Sequence, residues 1–128
     1  MNPRQAAQHF ADTWQHGWST HDVDAIAALY HDEAVHTSMP FRPPHHGKTQ
    51  ITDYIRRSFH DETNPRARFA VPLVDGNHAA TEYHVTTDQA TLSGCVFVTF
   101  DPDGLARTTR DYWHESPNAT DLTHAPGE

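Results

Sequence analysis

Apolar residues recur every three or four positions through the first half of the chain and every second position from Ala67 onward. The first spacing is that of a helix with one buried face, the second that of a strand with one buried side. Ala7, Phe10, Ala11, Trp14 and Trp18 share one helical face, with Gln5, Gln8, Asp12 and Gln15 opposite. Asn2 followed by Pro3 supplies the cap and the first helical residue, and Gly17 weakens the far end. Asp22 caps a short second helix whose inner stripe is Val23, Ile26, Ala27, Leu29 and Tyr30. His31-Asp32-Glu33 ends it, and residues 34–39 read as a short strand. The stretch Pro40-Phe41-Arg42-Pro43-Pro44-His45-His46-Gly47 is an ordered loop or the edge of a lid, because three prolines remove backbone donors and fix φ. A third helix follows Gly47, with Ile51, Tyr54, Ile55, Ser58 and Phe59 on one side and Arg56 and Arg57 facing out, and Asn64-Pro65 closes it.

From Ala67 the period falls to two. Phe69, Val71 and Leu73 alternate, Asp75-Gly76-Asn77 signals a hairpin, and residues 79–87, 91–100 and 105–114 read as further strands. Asp101-Pro102-Asp103-Gly104 is the last turn. Short turns between successive strands imply an antiparallel meander. Helices followed by strands imply an α+β fold, here a cone-shaped barrel of N-terminal helices packed on a curved antiparallel sheet. The domain is expected over residues 1–115, with residues 116–128 as a flexible tail. The hollow of such a cone is where a small ligand is expected.

Composition narrows the function classes. The chain has 128 residues, enough for one core with a pocket, and carries 9 Lys and Arg against 17 Asp and Glu, a formal charge of -8. That sign argues against nucleic acid and against an anionic membrane surface. No apolar run approaches the roughly 20 residues of a membrane span, and the N-terminus lacks a signal-peptide core. The expectation from composition is an acidic, cytoplasmic single domain. The single cysteine, Cys95, excludes an internal disulfide and reads as small and buried. The 12 histidines are scattered, only His45 and His46 being adjacent, so the spacing points to no metal site. Hydrophobic residues make up only 36 %, so the core must rest on its aromatic side chains.

Three segments carry a family resemblance: Asp22 to Tyr30 (DVDAIAALY), Met39 to Gly47 (MPFRPPHHG) and Arg110-Asp111-Tyr112-Trp113. With the element order, they make the chain similar to the SnoaL-like branch of the nuclear transport factor 2-like superfamily. That branch includes polyketide cyclases and limonene-epoxide hydrolase-type enzymes. The resemblance implies a cofactor-independent cyclase, isomerase or hydrolase, and a homodimer formed through the sheet. The epoxide-hydrolase mechanism uses an Asp-Arg-Asp set, in which one Asp activates water and the other, held by Arg, protonates the epoxide. The Asp of the RDY motif falls on Asp111. The Arg and the other Asp fall on Tyr83 and Val85, and the water-positioning Tyr and Asn fall on His36 and Ser38. A full epoxide-hydrolase set is therefore not present.

Strand parity offers substitutes. If Asp111 faces the cone, Thr109 and Trp113 do too, with Thr81, Tyr83 and Val85 on one neighbouring strand and Leu92, Gly94, Val96 and Val98 on the other. Asp111, Tyr83 and His36 are then the catalytic candidates, and apolar walls would raise the carboxyl pKa into the range of proton transfer. Trp14, Trp113, Leu92, Val96, Phe41 and Tyr54 are the candidate substrate walls, and Gly94 would leave room for a ligand. A register slip by one would instead turn Glu82 and His84 inward as the acid-base pair. Each residue also has a structural reading. Asp111 can pair with Arg107 or Arg110, Tyr83 and His36 can simply pack, and Arg42 can be solvated or clamp an anionic group at the pocket mouth. A non-catalytic binding or accessory protein with the same pocket is the alternative function, and an interaction module using the outer sheet face is a third.

Overall fold

The computed structural model describes residues 1–117 and 122–128. Helix α1 spans Pro3–Thr20, and Asn2 and Gln5 close a reciprocal capping box at its start. The helix runs through Gly17 rather than ending near it. A Cβ there would lie 2.7 Å from Ile26 Cγ1, so the glycine serves the close approach of helix α2 (Val23–Ala27). The turn between them is made at His21, in the left-handed conformation. Strand β1 (Tyr30–Ser38) starts four residues earlier than the pattern suggests, and Tyr30 becomes its first, buried residue. A two-residue strand β2 (His45–His46) and helix α3 (Gly47–Phe59) follow.

The period-two region forms β3 (Arg66–Phe69), β4 (Leu73–Asp75), β5 (His78–Thr86), β6 (Ala90–Phe100) and β7 (Ala106–Pro117). The expected first strand of the meander is two strands. Pro72 interrupts it, Val71 and Leu73 are exposed, and β3 and β4 both pair with β5. The sheet runs β2-β1-β7-β6-β5-β3 and is mixed, which corrects the wholly antiparallel expectation: β1 lies parallel to β7. Parallel neighbours need a long crossover, and α3 with the meander supplies it. The result is a cone-shaped α+β fold, with α1 and α3 against the concave face of the sheet.

Two apolar clusters fill the cone. One joins Phe10 of α1, Ile26, Tyr30, Ile51 and Ile55 of α3, and Val96, Val98 and Phe100 of β6. The other gathers Ala67, Tyr83 and Val85, with Trp18, Phe69, Leu92 and Trp113 packed against them. Tyr83 pairs with Gly94 and Gly94 with Trp113, while Val96 pairs with Asp111, so these residues share the concave face. Glu82 and His84 therefore lie on the opposite face, and the slipped register does not occur. The domain boundary expected at residue 115 falls inside β7, where Ser116 and Pro117 still pair with Thr91 and Ala90. The tail expected from residue 116 lies partly outside the described residues, at 118–121. Beyond it, the Gly127 N–H donates to Glu82 Oε1.

Candidate active site

A cavity of about 300 Å³ opens between α1, α3 and the concave sheet face. Trp14 and Trp18 of α1 form one wall, Tyr54, Ile55 and Phe59 of α3 another, and Tyr83, Leu92, Val96 and Trp113 the sheet side. Tyr30, His36 and Phe69 complete the lining. Asp111 projects into this aromatic space.

Asp111 has no cation beside it among the described residues. Arg107 reaches Glu33 at 3.8 Å and contacts His31, and Arg110 lies over the Phe97 ring on the outer face. Its polar partner is the Tyr83 hydroxyl, which donates to Asp111 Oδ1 at 2.7 Å. Burial pushes the carboxyl up to about 6, against the partial relief of that hydrogen bond. Burial and the neighbouring Asp111 raise Tyr83, so the phenol keeps its proton.

The Tyr83–Asp111 bond spans a strand, since β6 lies between their strands. Gly94 makes that reach possible. A Cβ on it would sit 2.6 Å from Tyr83 Oη and 2.7 Å from the Tyr112 carbonyl. The space left by the glycine is thus filled by the tyrosine ring, which corrects the expectation that it leaves room for a ligand. Phe69 stacks on the same ring at 5.0 Å and Trp18 leans on it at 5.6 Å, fixing its position.

Parallel pairing of β1 with β7 brings His36 beside Thr109 and Ser38 beside Asp111. His36 is buried, and its Nδ1 lies 2.6 Å from Thr109 Oγ1. Burial, with His45 adding to it, lowers the imidazole to about 4, so it is neutral at pH 7. Ser38 Oγ accepts from Tyr54 Oη at 2.8 Å and from Trp113 Nε1 at 3.1 Å, locking both rings into the wall. Tyr30 Oη accepts from Trp14 Nε1 at 3.2 Å. Glu62 Oε1 accepts from Trp18 Nε1 at 2.8 Å and lies 3.0 Å from His21 Nε2.

The structure therefore brings Asp111, Tyr83, His36, Trp14, Trp113, Leu92, Val96 and Tyr54 to one cavity. Phe41 is not there: it is fully exposed at the tip of the turn that Met39 starts with a left-handed φ of 68°. Arg42 takes the mouth instead, its guanidinium 5.3 Å from the centre of the Trp113 ring. Glu82 and His84 are on the other side of the sheet and cannot serve as the pocket's acid-base pair. Helical spacing marks either Trp14 or Trp18 as a pocket wall, and both line it; sequence reading missed Tyr30, Ile55, Ser58, Phe59, Glu62, Phe69 and Glu115 as lining residues. For Glu62 and Glu115, in a loop and at a strand end, no periodicity pointed inward. Among the described residues, no trio of His, Cys, Asp or Glu converges on a metal position inside the cavity.

The sequence profile of the SnoaL-like domain matches residues 7–108. No curated protein matches the sequence significantly. Among solved structures, one similar chain is a hypothetical protein with a ketosteroid isomerase-like fold from Catenulispora acidiphila, crystallised in complex with trimethylamine. It is 14% identical, with a TM-score of 0.70 over 80% of this chain and 83% of that one. At that identity the likeness speaks for the fold.

Proposed function

The chain belongs to the SnoaL-like domain family, and from that premise we propose that it is a cofactor-independent acid-base enzyme acting on a small, largely apolar, oxygenated molecule. The carrying observation is a buried carboxyl, pushed up to about 6 and, among the described residues, unpaired with any cation, inside an aromatic cavity. Above that pH Asp111 is a base. Tyr83 holds Oδ1, so Oδ2 is the oxygen left to take a proton from carbon beside a carbonyl or from a hydroxyl. His36, neutral and tied to Thr109 through Nδ1, offers Nε2 to the substrate oxygen as charge develops on it. The same proton returned to a different atom gives isomerisation; returned to a departing oxygen it gives dehydration; carbon attack on a second carbonyl gives cyclisation.

Solvent-deuterium incorporation into a panel of small cyclic ketones, read by NMR, tests this reading. The wild-type protein is expected to label the carbon next to the carbonyl in at least one of them. Asp111→Asn should cut that rate by about 10²-fold or more while leaving the fold intact. Equal labelling by the variant would remove Asp111 from the mechanism.

A second reading, a non-catalytic binder of organic ammonium ions, draws on a specific observation. The aromatic faces of Trp14, Trp18, Tyr30 and Trp113, together with Asp111, Glu62 and Glu115, make a cavity suited to a cation. The Catenulispora protein was crystallised with trimethylamine. Calorimetric titration with tetramethylammonium separates the readings: binding without any labelling of the ketone panel favours the binder. We further propose a cytoplasmic homodimer that pairs through the outer face of the sheet. No described helix is long and apolar enough to cross a membrane.

A further inference from the structure

On the face of β5 turned away from the cavity, Glu82 and His84 stand two residues apart and so point the same way. His124, from the far end of the chain, joins them. Its ring meets that of His84 edge-on with centroids 5.3 Å apart, and its Nε2 lies 3.7 Å from Glu82 Oε2. One donor atom from each of the three residues falls within 4.8 Å of the other two.

A second observation points to a missing ligand. His84 is only 7 % exposed, and its buried Nε2 has no hydrogen-bond partner among the described residues. Buried imidazole nitrogens are ordinarily satisfied, so an orphaned one inside a cluster of metal-ligating groups calls for an explanation. No hydrogen bond from the described residues provides it. A cation does, because a neutral imidazole offers a lone pair and Glu82 adds a negative charge.

We propose that Glu82, His84 and His124 form a site for one first-row divalent cation, zinc being the probe, which ties the C-terminal segment to the outer face of β5. Two imidazoles and a carboxylate are a borderline-soft donor set that suits zinc, at bond lengths near 2.0–2.2 Å. Ligands around such an ion stand about 3.5 Å apart, so the trio must contract. His124 and Glu82 are already near that spacing, and the exposed His124 has the freedom to move. The fourth position is left to water. The segment is already held at Glu82 by the Gly127 N–H, so the ion would reinforce an existing contact. The inference is independent of the cavity and its chemistry.

Calorimetric titration of the full chain with Zn²⁺, together with the visible absorbance of Co²⁺, tests it. One equivalent is expected to bind, and His124→Ala and Glu82→Gln should each weaken it by tenfold or more and abolish the Co²⁺ spectrum. His124 and Glu82 lie at the surface, so neither variant should disturb folding, which circular dichroism checks. His84→Gln should act in the same way. His60→Gln, at an exposed position at the end of α3, should leave binding unchanged. Binding that survives His124→Ala, or several weak equivalents shared equally by all variants, would overturn the site and mean adventitious uptake by surface histidines.

Discussion

Asp111 makes its pocket sensitive to pH in a way that can be read in both rate and stability. Its carboxyl goes from 3.8 in the unfolded chain to about 6 in the folded one. Between those values the native state binds the proton more tightly, so folding is favoured at low pH and the charged form costs stability above about 6. Two pH units correspond to about 3 kcal/mol at most. Asp111→Asn removes that cost. Its melting temperature should exceed that of the wild type at pH 7–8 and the advantage should vanish near pH 4, as scanning calorimetry across pH would record. His36 titrates in the same window with the opposite sign, since burial lowers it, but it contributes equally to both proteins and cancels in the difference. The hydrogen bond from Tyr83 pulls the Asp111 pKa down, so Tyr83→Phe should move the acid limb of the kcat/KM profile to higher pH. A profile that stays in place would mean that the hydroxyl does not touch the reacting carboxylate. Gly94→Ala reaches the same bond from behind. Its methyl has no room beside Tyr83 Oη and the Tyr112 carbonyl, and neither the stacked ring nor the strand yields easily. Loss of about 1–3 kcal/mol in urea unfolding is expected, together with the same alkaline shift.

At the scale of elements, small residues decide how close helices and strands come, and propensity gives way to contact. Gly17 illustrates it: alanine is the better helix former by about 1 kcal/mol. Yet Gly17→Ala should lower stability, because Ile26 is wholly buried and stands 2.7 Å from the added carbon. A gain in the urea midpoint would mean that α2 can slide away freely. The same logic explains what was legible in the sequence. Helical spacing placed Trp14 and Tyr54 in the wall, and strand parity placed Tyr83, Leu92, Val96, Asp111 and Trp113 on one face, because both depend only on local geometry. The parallel seating of β1 against β7 depends on a crossover that no local pattern records. His36 and Ser38 came to Thr109 and Asp111 through that pairing. Phe41 was misplaced because its side chain follows a turn set by the left-handed Met39, and an apolar residue between prolines carries no periodicity to show where it points. The cluster of Glu82, His84 and His124 escaped for a related reason: its third member arrives from some 40 positions downstream, a separation over which spacing says nothing.

For the whole molecule, the outer face of the sheet sets an attraction against a repulsion. Phe97 and Tyr112 meet edge-to-face at 5.9 Å and remain 39% and 41% exposed, with Arg110 over the Phe97 ring. Large aromatic rings left open on a sheet are the usual material of an interface core. Two copies joined there each carry a formal charge of -8. Their mutual repulsion acts over a Debye length of about 30 Å at 0.01 M salt but only about 8 Å at 0.15 M. The proposed dimer should therefore tighten as salt rises, the reverse of an interface held by opposite charges. Light scattering at fixed protein concentration should show the mass climbing toward two chains between those ionic strengths. Phe97→Asp places a charge at the centre of the contact and should hold the protein as a monomer at either salt, with unchanged circular dichroism. Because the cavity opens on the other side of the sheet, that variant should keep its ketone-labelling activity. A monomeric wild type at high salt, or a Phe97→Asp protein that still dimerises, would move the interface to another surface without touching the argument for Asp111.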